Sequence, residues 1–128
     1  MKSVIDAIIR IKNGYLASRE SVEVKCSKTV KAVLEKLVAQ KYITSFEVVT
    51  TGAKTMAVVQ LGYVKDSPMM TDVKLISKPG QKQYFESKMI PKVLNGMGVA
   101  ILTTTKGVLT GSEAKKAGVG GELLFTIW

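Results

Sequence analysis

The apolar residues of the chain repeat with a helical period in two early segments and with a strand period in most later ones. Residues 3–15 and 28–38 place them every three or four positions, as amphipathic helices do. From about residue 42 onward, apolar and polar residues tend to alternate, as in half-buried strands. The sequence therefore predicts an α+β fold.

The first helix is expected to run from Ser3 to about Tyr15. Ser3 and Asp6 have the spacing of a capping box, which predicts that the helix begins at Ser3. The pair Asn13-Gly14 is expected to fray or end it. Its apolar face comprises Val4, Ile8, Ile11 and Tyr15. The next segment, "SVEVK", alternates as a short strand over residues 21–25.

The second helix is predicted to start after Ser27, whose hydroxyl can cap it. Its apolar face comprises Val30, Val33, Leu34, Leu37 and Val38. Its outer face carries Lys28, Lys31 and Glu35. That face is either a solvated stripe or a surface that contacts phosphate, and the residues alone favour neither.

The segments "YITSFEVVT" and "TMAVVQLGY" flank the turn "TGAK" and predict a β-hairpin. The segment "VKDSPMM", residues 64–70, breaks the periodicity and is the candidate linker. We predict an N-terminal α/β domain over residues 1–64, a linker over 65–70 and a C-terminal α+β domain over 71–128. Helices pack on a short sheet in the first domain, and the second is strand-rich with one short capped helix.

The C-terminal part begins with two predicted strands, "DVKLIS" and "QKQYFE", joined by a turn at Lys78-Pro79-Gly80. Pro91 suits the first position of a short helix that ends near Asn95-Gly96. The strand "GVAILTT" is expected to follow that helix.

The last predicted helix has clear end signals. Thr110 and Glu113 form a T-x-x-E capping box, and Gly118 is placed for the C-terminal cap. The chain then closes on the strand "ELLFTIW". In this strand Leu123, Phe125 and Ile127 alternate with Glu122, Leu124 and Thr126.

The charge balance points to a polyanionic partner. The chain has 19 Lys and Arg against 10 Asp and Glu, a net charge of +9, and no histidine. The cations are dispersed, with no run longer than Lys115-Lys116, so the charge must lie on folded surfaces. The alternative is a basic surface that serves only solubility.

Composition also indicates the cellular compartment of the protein. Its 46% apolar content is enough for a core, but no apolar stretch approaches the roughly 20 residues of a membrane span. Asp6 and Arg10 interrupt "VIDAIIRI", which excludes a signal-peptide core. The single Cys26 fits a reducing compartment. We predict a soluble cytoplasmic protein with no membrane partner.

The sequence lacks the residues of the commonest active sites. Without histidine there is no imidazole base, no Ser/His or Cys/His pair and no His metal ligand. The carboxylates are dispersed, and the segment "GMGVAI" fails the dinucleotide-binding fingerprint. We predict no catalytic residue, no metal, no cofactor and no small-molecule substrate. Three other classes of function remain open at this point. They are a small RNA-modifying enzyme, an RNA-binding translational regulator and a protein-interaction scaffold.

The segment "ILTTTKGVLT", residues 101–110, contains three successive threonines. Buried hydroxyls need partners, so we expect the strand to end at Leu102 and residues 103–105 to emerge into a loop. There the hydroxyls can reach sugars, phosphates and base edges, and Gly107 permits close backbone approach. The alternative is that threonine favours strands, with Thr104 or Thr105 closing an ST-turn.

The second half of the chain resembles a known family. The segments "ISKPGQKQY" and "PKVLNGMGVAILTTTKGVLTGSEAKKAGVGGELLFTIW" are similar to the C-terminal half of the eighth protein of the small ribosomal subunit. The resemblance continues through "DAIIRIKNG" and "SKTVKAVLEKL". It implies two small α/β domains that bind the central domain of small-subunit ribosomal RNA early in assembly. It also implies a cytoplasmic ribosome and neighbouring small-subunit ribosomal proteins as partners.

The same resemblance implies which residues bind RNA. The family's Ser-Thr-Ser-x-Gly loop corresponds to Thr103, Thr104, Thr105, Lys106 and Gly107. Its tyrosine after the Pro-Gly turn corresponds to Tyr84, and its Gly-Gly-Glu corresponds to Gly120, Gly121 and Glu122. Its N-terminal positions correspond to Arg10, Asn13, Ser27, Lys28 and Lys31.

The chain departs from the family pattern at three places. Two loop serines are threonines here, which keeps the hydroxyls but adds methyl groups. Phe85 and Glu86 replace the basic residue that commonly follows the tyrosine, so a phosphate contact is expected to be lost or moved to Lys82 or Lys88. Ile9 replaces a hydroxyl residue that is usual before the arginine.

Overall fold

The structure, a computed structural model, describes residues 2–128 and confirms the predicted α+β fold. The chain divides into two compact units, one that ends at Thr71 and one that comprises Asp72–Trp128. The finer division into domains over 1–64 and 71–128 stays a prediction.

The N-terminal unit contains two helices and a three-stranded antiparallel sheet. The helices are α1 (Lys2–Leu16) and α2 (Lys28–Ala39), and the strands are β1 (Ser21–Lys25), β2 (Ser45–Thr51) and β3 (Lys54–Gln60). The central strand is β3, which pairs with β1 on one side and β2 on the other. The predicted first strand, second helix and hairpin are therefore confirmed.

The apolar faces predicted for both helices are confirmed. Buried residues of the helices are Val4, Ile8, Ile11 and Tyr15 in α1 and Val30, Val33, Leu34 and Leu37 in α2. They form a core with the buried sheet residues Val24, Ala57 and Val59. The predicted cap of α2 is confirmed as well, since the side chain of Ser27 accepts a hydrogen bond from the Val30 amide at 3.2 Å.

The two ends of α1 differ from the prediction. The helix already includes Lys2, so Ser3 is not its N-cap. Gly14 lies inside the helix and is buried, and a Cβ added there would lie 2.5 Å from Cγ1 of Val22. Gly14 therefore permits close packing of α1 on β1 instead of ending the helix.

The hydroxyl of Tyr15 joins three parts of the N-terminal unit. It donates a hydrogen bond to the Tyr42 carbonyl at 2.6 Å and accepts one from the Gly62 amide at 3.1 Å. The ring of Tyr15 packs edge-to-face on Tyr63, with centroids 5.4 Å apart. One side chain of α1 thus satisfies backbone groups on both sides of the β2–β3 hairpin.

The segment of the predicted linker contains a short ordered hairpin. Its strands are β4 (Tyr63–Val64) and β5 (Ser67–Pro68), which pair antiparallel. Lys65 and Asp66 form the turn with φ of 51° and 64°. Positive φ at both central residues is the geometry of a type I′ turn, whose twist matches that of a hairpin.

The C-terminal unit contains a sheet and one α-helix. Its elements are β6 (Val73–Leu75), β7 (Tyr84–Phe85), β8 (Val99–Thr104), β9 (Gly107–Thr110), α3 (Gly111–Ala117) and β10 (Gly121–Ile127). The strands run in the order β6-β10-β8-β9, and β7 pairs with the start of β10. A cluster of buried side chains, which comprises Ile90, Ala100, Leu102, Ala114 and Leu123, joins α3 to one face of the sheet.

The capping box of α3 is confirmed. The side chain of Thr110 accepts a hydrogen bond from the Glu113 amide at 3.2 Å, and Oε1 of Glu113 accepts one from the Thr110 amide at 3.0 Å. Gly118 has φ of 68° and forms the C-terminal cap. The sequence motifs therefore predicted both ends of α3 correctly.

The short helix predicted from Pro91 is confirmed only at its end. Residues 91–93 are not helical, and a 3₁₀ helix covers Leu94–Gly96; another 3₁₀ helix, Ser87–Met89, precedes Pro91. Ile90 is extended, with φ of −65° and ψ of 121°, as the residue before a proline prefers. Leu94 has φ of 48°, which no α-helix allows.

The predicted strand "QKQYFE" is shorter than expected, since only Tyr84 and Phe85 form β7. The buried hydroxyl of Ser77 holds the backbone just before β7. It donates to the Leu123 carbonyl at 2.7 Å and accepts from the Gln83 amide at 3.0 Å. A side chain therefore replaces part of the ladder that a longer strand would have formed.

A bulge in β10 breaks the alternation predicted for "ELLFTIW". Leu123 pairs with Leu102, but Phe125 pairs with Ile101, so the register shifts between them. Because successive residues of β8 point to opposite faces, Leu123 and Phe125 do too. Residues on both faces of β10 are buried.

Candidate nucleic-acid interface

The three threonines lie at the end of a hairpin whose strands are β8 and β9. The strand continues to Thr104, so Thr103 and Thr104 are paired residues and not loop residues as predicted. Thr105 and Lys106 form the two-residue turn, and Gly107 follows with φ of 97°. The pairing extends past Leu102 because β9 and β10 both supply hydrogen-bond partners there.

The hydroxyl of Thr104 is used within the hairpin. It donates to the Gly107 carbonyl at 2.8 Å and accepts from the Lys106 amide at 3.0 Å. This is the ST-turn that the sequence offered as the alternative. The exposed tip therefore presents the hydroxyl of Thr105 and the ammonium group of Lys106.

Three predicted site residues form one row across the sheet. Glu122 in β10 pairs with Tyr84 in β7 on one side and with Thr103 in β8 on the other. Directly opposed residues project from the same face, so a phenol, a carboxylate and a hydroxyl lie side by side. Tyr84 is the outermost of the three and is 70% exposed.

Glu122 is the most unusual of these residues. Its side chain is only 9% exposed, and its Oε2 atom is buried without a hydrogen-bond partner among the described residues. A buried acceptor with no donor costs roughly 1–3 kcal/mol, so such groups are rare in folded proteins. A carboxylate accepts hydrogen bonds only, so the missing partner must be a donor.

The glycines before Glu122 allow strands to approach closely. A Cβ on Gly121 would overlap the carbonyl oxygen of Thr103, and one on Gly120 would overlap that of Phe85. The backbone that these glycines leave bare borders a groove of about 940 Å³. The groove is lined by residues 84–88, 103–105, 118, 120 and 121.

The predicted N-terminal residues lie in the other unit. Arg10 and Asn13 of α1 line a groove of about 640 Å³ together with Arg19. The guanidinium of Arg10 donates to the Glu23 carbonyl at 3.3 Å, which holds its charge at the rim of β1. Lys28 and Lys31 are exposed on α2.

The described residues contain neither a metal-binding cluster nor a membrane-spanning helix. Within residues 2–128, no group of three or more His, Cys, Asp or Glu side chains could hold a metal ion. No helix of the same range is long and apolar enough to cross a membrane.

Comparison with known proteins decides the family. The family model described as Ribosomal protein S8 matches residues 2–128. The chain belongs to the ribosomal protein S8 family. It is 43% identical over 129 residues to small ribosomal subunit protein uS8 of Malacoplasma penetrans, which covers 100% of this chain and 98% of that relative. It is 40% identical over 125 residues to the uS8 protein of Dictyoglomus thermophilum, covering 98% and 95%.

Membership of the S8 family makes the chain a non-enzymatic ribosomal protein of the small subunit, whose partners are ribosomal components. The predicted family and the prediction that the chain is not an enzyme are therefore confirmed.

In this S8 protein the structure brings together the predicted C-terminal site residues. Tyr84, Gly121, Glu122 and residues 103–107 all lie at one end of one sheet. The sequence did not identify three groove residues as site residues. They are Ser87 and Gly118 in this unit and Arg19 in the other unit. Lys88, which the sequence offered as a replacement cation, lines the groove, whereas Lys82 does not.

Proposed function

We propose that the chain binds the central domain of small-subunit ribosomal RNA directly and assists assembly of the subunit in the cytoplasm. The C-terminal domain supplies sequence and shape recognition, and the dispersed lysines supply most of the affinity. The boundary between the two domains lies in the segment 65–70 of the chain.

The observation that carries this proposal is the unpaired carboxylate oxygen of Glu122. It lies between Thr103 and the exposed ring of Tyr84. RNA supplies the donors that this oxygen lacks, from 2′-hydroxyls and from base amino and imino groups. The neighbouring phenol offers a surface on which a sugar or an unstacked base can pack.

Two lysines lie at the same end of the sheet as Glu122. Lys106 is exposed at the hairpin tip, and Lys88 lines the groove beside Gly120 and Gly121. Backbone amides and lysines bind phosphate, while the carboxylate selects a donor. The site therefore combines two cations for affinity with one acceptor for specificity.

The N-terminal unit contributes further RNA contacts in this proposal. Arg10 and Asn13 share a groove, and Lys28 and Lys31 lie exposed on α2. The hydroxyl oxygen of Ser27 accepts one hydrogen bond from the Val30 amide, which leaves its O–H donor and its second lone pair for RNA. These residues serve mainly as phosphate contacts.

Binding should depend strongly on salt, because each phosphate neutralised releases counterions. We expect the logarithm of the association constant for a central-domain RNA fragment to fall by about 0.7–0.9 per phosphate contact for each log unit of salt. A filter-binding or fluorescence titration at several salt concentrations measures the slope. An affinity independent of salt would contradict the proposal.

Two substitutions at the hairpin tip distinguish recognition of RNA by hydrogen bonds from attraction by charge. We expect Thr105→Val to weaken cognate RNA binding by about 1–3 kcal/mol without changing the melting temperature, because this exposed hydroxyl is free to pair with RNA. Lys106→Gln should weaken cognate and scrambled RNA alike and lower the salt slope by about one unit.

The control for the tip is Thr104→Val. Its hydroxyl bonds within the hairpin, but water can replace these exposed bonds, so this change should lower the stability of the protein itself by about 0.5–1.5 kcal/mol. Titrations against both RNAs and thermal melts of all three variants supply the comparison. Wild-type affinity in Thr105→Val would show that the tip hydroxyl is not used.

A further inference from the structure

The C-terminal unit has a second groove besides the first groove, which is the one of about 940 Å³ beside Gly121. The second groove has a volume of about 290 Å³. Residues of the segment 91–100 line one side of it, and residues of α3 line the other. Lys92, Ser112 and Lys115 are exposed in its lining. None of these three is among the predicted site residues.

The core of the C-terminal unit sets the walls of the second groove. Ile90 is buried in the cluster that joins α3 to the sheet, and Val93 packs against that cluster. Gly111 is buried too, and a Cβ added there would lie 3.1 Å from Cγ2 of Ile90. Lys92 thus lies between two packed residues, and Lys115 lies one helical turn after Gly111. The backbone positions of both lysines are therefore set before RNA binds.

The charge of the lining distinguishes the second groove from the others. Its charged residues are two lysines, and no carboxylate is among the described residues that line it. The grooves of about 640, 940 and 340 Å³ each have an acidic residue in the lining: Glu23, Glu86 and Asp6. The acidic residue of α3, Glu113, has its Oε1 atom on the Thr110 amide. An anion that contacts both lysines is therefore the ligand that the groove favours.

The same two segments of the chain border both grooves. Residues 84–88 line the first groove, and residues 91–93 line the second. The 3₁₀ helix Ser87–Met89 at this junction lies against α3. Gly118, just after the end of α3, lines the first groove, and Ser112, near its start, lines the second. Seven helical residues span about 10 Å, roughly the rise of three nucleotides along one strand.

We propose that the second groove binds the phosphate backbone of the same RNA strand that the first groove recognises. The strand leaves Glu122 and Tyr84, passes along α3, and brings one or two phosphates to Lys92 and Lys115. Ser112 offers a hydroxyl donor to the same phosphates. This inference rests on the proposed function, because it extends the path of the RNA bound in the first groove. The added contact carries no sequence information, but it fixes the register of the strand on the protein.

Replacing both lysines by glutamine tests the charge of the second groove. For a central-domain RNA fragment, Lys92→Gln with Lys115→Gln should lower the salt slope by about 1.4–1.8, two contacts at about 0.7–0.9 each. The affinity of this double glutamine variant should be lower at low salt and approach that of wild type as salt rises. Both side chains are exposed, so the melting temperature should not change. Lys92→Arg with Lys115→Arg keeps both charges and should keep the wild-type slope.

Phosphate ethylation interference locates the contact on the RNA. Ethylnitrosourea esterifies phosphate oxygens along the fragment and removes their charge, and bound and free RNA are then compared. Ethylation of one or two phosphates should weaken binding by wild type several-fold but not binding by the double glutamine variant, which has no lysine left to lose there. Lys88→Gln identifies the phosphate of the first groove in the same way. We expect both sets on one strand, within about five nucleotides of each other.

Lys74→Gln with Lys78→Gln is the matched control. These changes remove the same charge from exposed residues of the C-terminal unit that line neither groove. The control variant should show the wild-type interference pattern. If it relieves the same phosphates as the double glutamine variant, loss of net charge is the cause, and the inference is overturned.

The other outcomes separate this inference from the proposed function. A wild-type interference pattern in the double glutamine variant would show that the second groove binds no phosphate. Relief only at phosphates remote from the Lys88 contact would show that the strand does not continue between the grooves. Either result overturns the inference and leaves RNA binding by the first groove intact. A wild-type protein that does not bind the fragment overturns both.

Discussion

Replacing Tyr15 by phenylalanine should lower the free energy of unfolding by about 2–6 kcal/mol, because two buried backbone groups each lose a partner worth roughly 1–3 kcal/mol. The groups are the Tyr42 carbonyl and the Gly62 amide. The change removes one oxygen and keeps the ring that packs on Tyr63. Urea unfolding of both proteins at neutral pH measures the difference.

Tyr63→Phe is the matched control. The Tyr63 hydroxyl donates to the Arg19 carbonyl at 2.7 Å, but this bond is exposed. Water replaces it, so we expect a loss of only about 0.5–1.5 kcal/mol. Equal losses in the two variants would show that the Tyr15 hydroxyl does not join the hairpin to α1.

The same hydroxyl predicts how stability changes at alkaline pH. Burial raises the pKa of Tyr15 above its usual 10.0, opposed by the Gly62 hydrogen bond and assisted by Tyr63. The folded state thus favours the neutral phenol. The stabilisation of the folded state by the Tyr15 hydroxyl is complete below the unfolded pKa of about 10 and is lost as pH rises through the folded pKa. Tyr15→Phe should therefore show a shallower loss of stability between about pH 9 and 11.

Replacing Glu122 should change stability and RNA affinity in opposite directions. Glu122→Met removes the buried unpaired oxygen and keeps the side-chain length, so the free protein should gain about 1–3 kcal/mol of stability. Affinity for cognate RNA should fall by about 1–3 kcal/mol, or roughly 5- to 150-fold, although a negative charge is lost. Glu122→Gln should also bind RNA more weakly, because the NH₂ group of the amide donates hydrogen bonds and cannot accept them.

Asp66→Asn controls for the loss of charge. Asp66 is exposed in the β4–β5 turn with φ of 64°, a conformation that asparagine accepts. Removing this charge should leave stability nearly unchanged and RNA binding unchanged or slightly stronger. Melting curves and RNA titrations on the three variants give both quantities. Tighter RNA binding by Glu122→Met would show that the carboxylate only repels RNA.

Elements that depend on neighbouring residues could be predicted from the sequence. The apolar stripe of α2 and its cap at Ser27, and the capping box of Thr110 with Glu113, all lie within a few positions of the chain. Their hydrogen bonds form wherever the segment folds, so residue type and spacing are sufficient information. The same holds for the turn at Gly52.

Elements that depend on distant partners were mistaken or missed. Thr103 and Thr104 were expected in a loop, but β9 and β10 extend the strand through them. Gly14 was expected to end α1, but it accommodates Val22 of β1. The helix predicted from Pro91 is reduced to a 3₁₀ helix over Leu94–Gly96, with Ile90 extended and Leu94 at positive φ.

By itself the sequence determined the fold class, the basic character, the absence of histidine chemistry and the family. Only the tertiary structure decided which groups are buried and which are left without partners. The bulge at Leu124, the bridge from Tyr15 across 47 residues to Gly62 and the unpaired oxygen of Glu122 arise from contacts between remote segments. Burial and hydrogen bonding between such segments depend on the positions of all of them together, and no local pattern of residues records those positions.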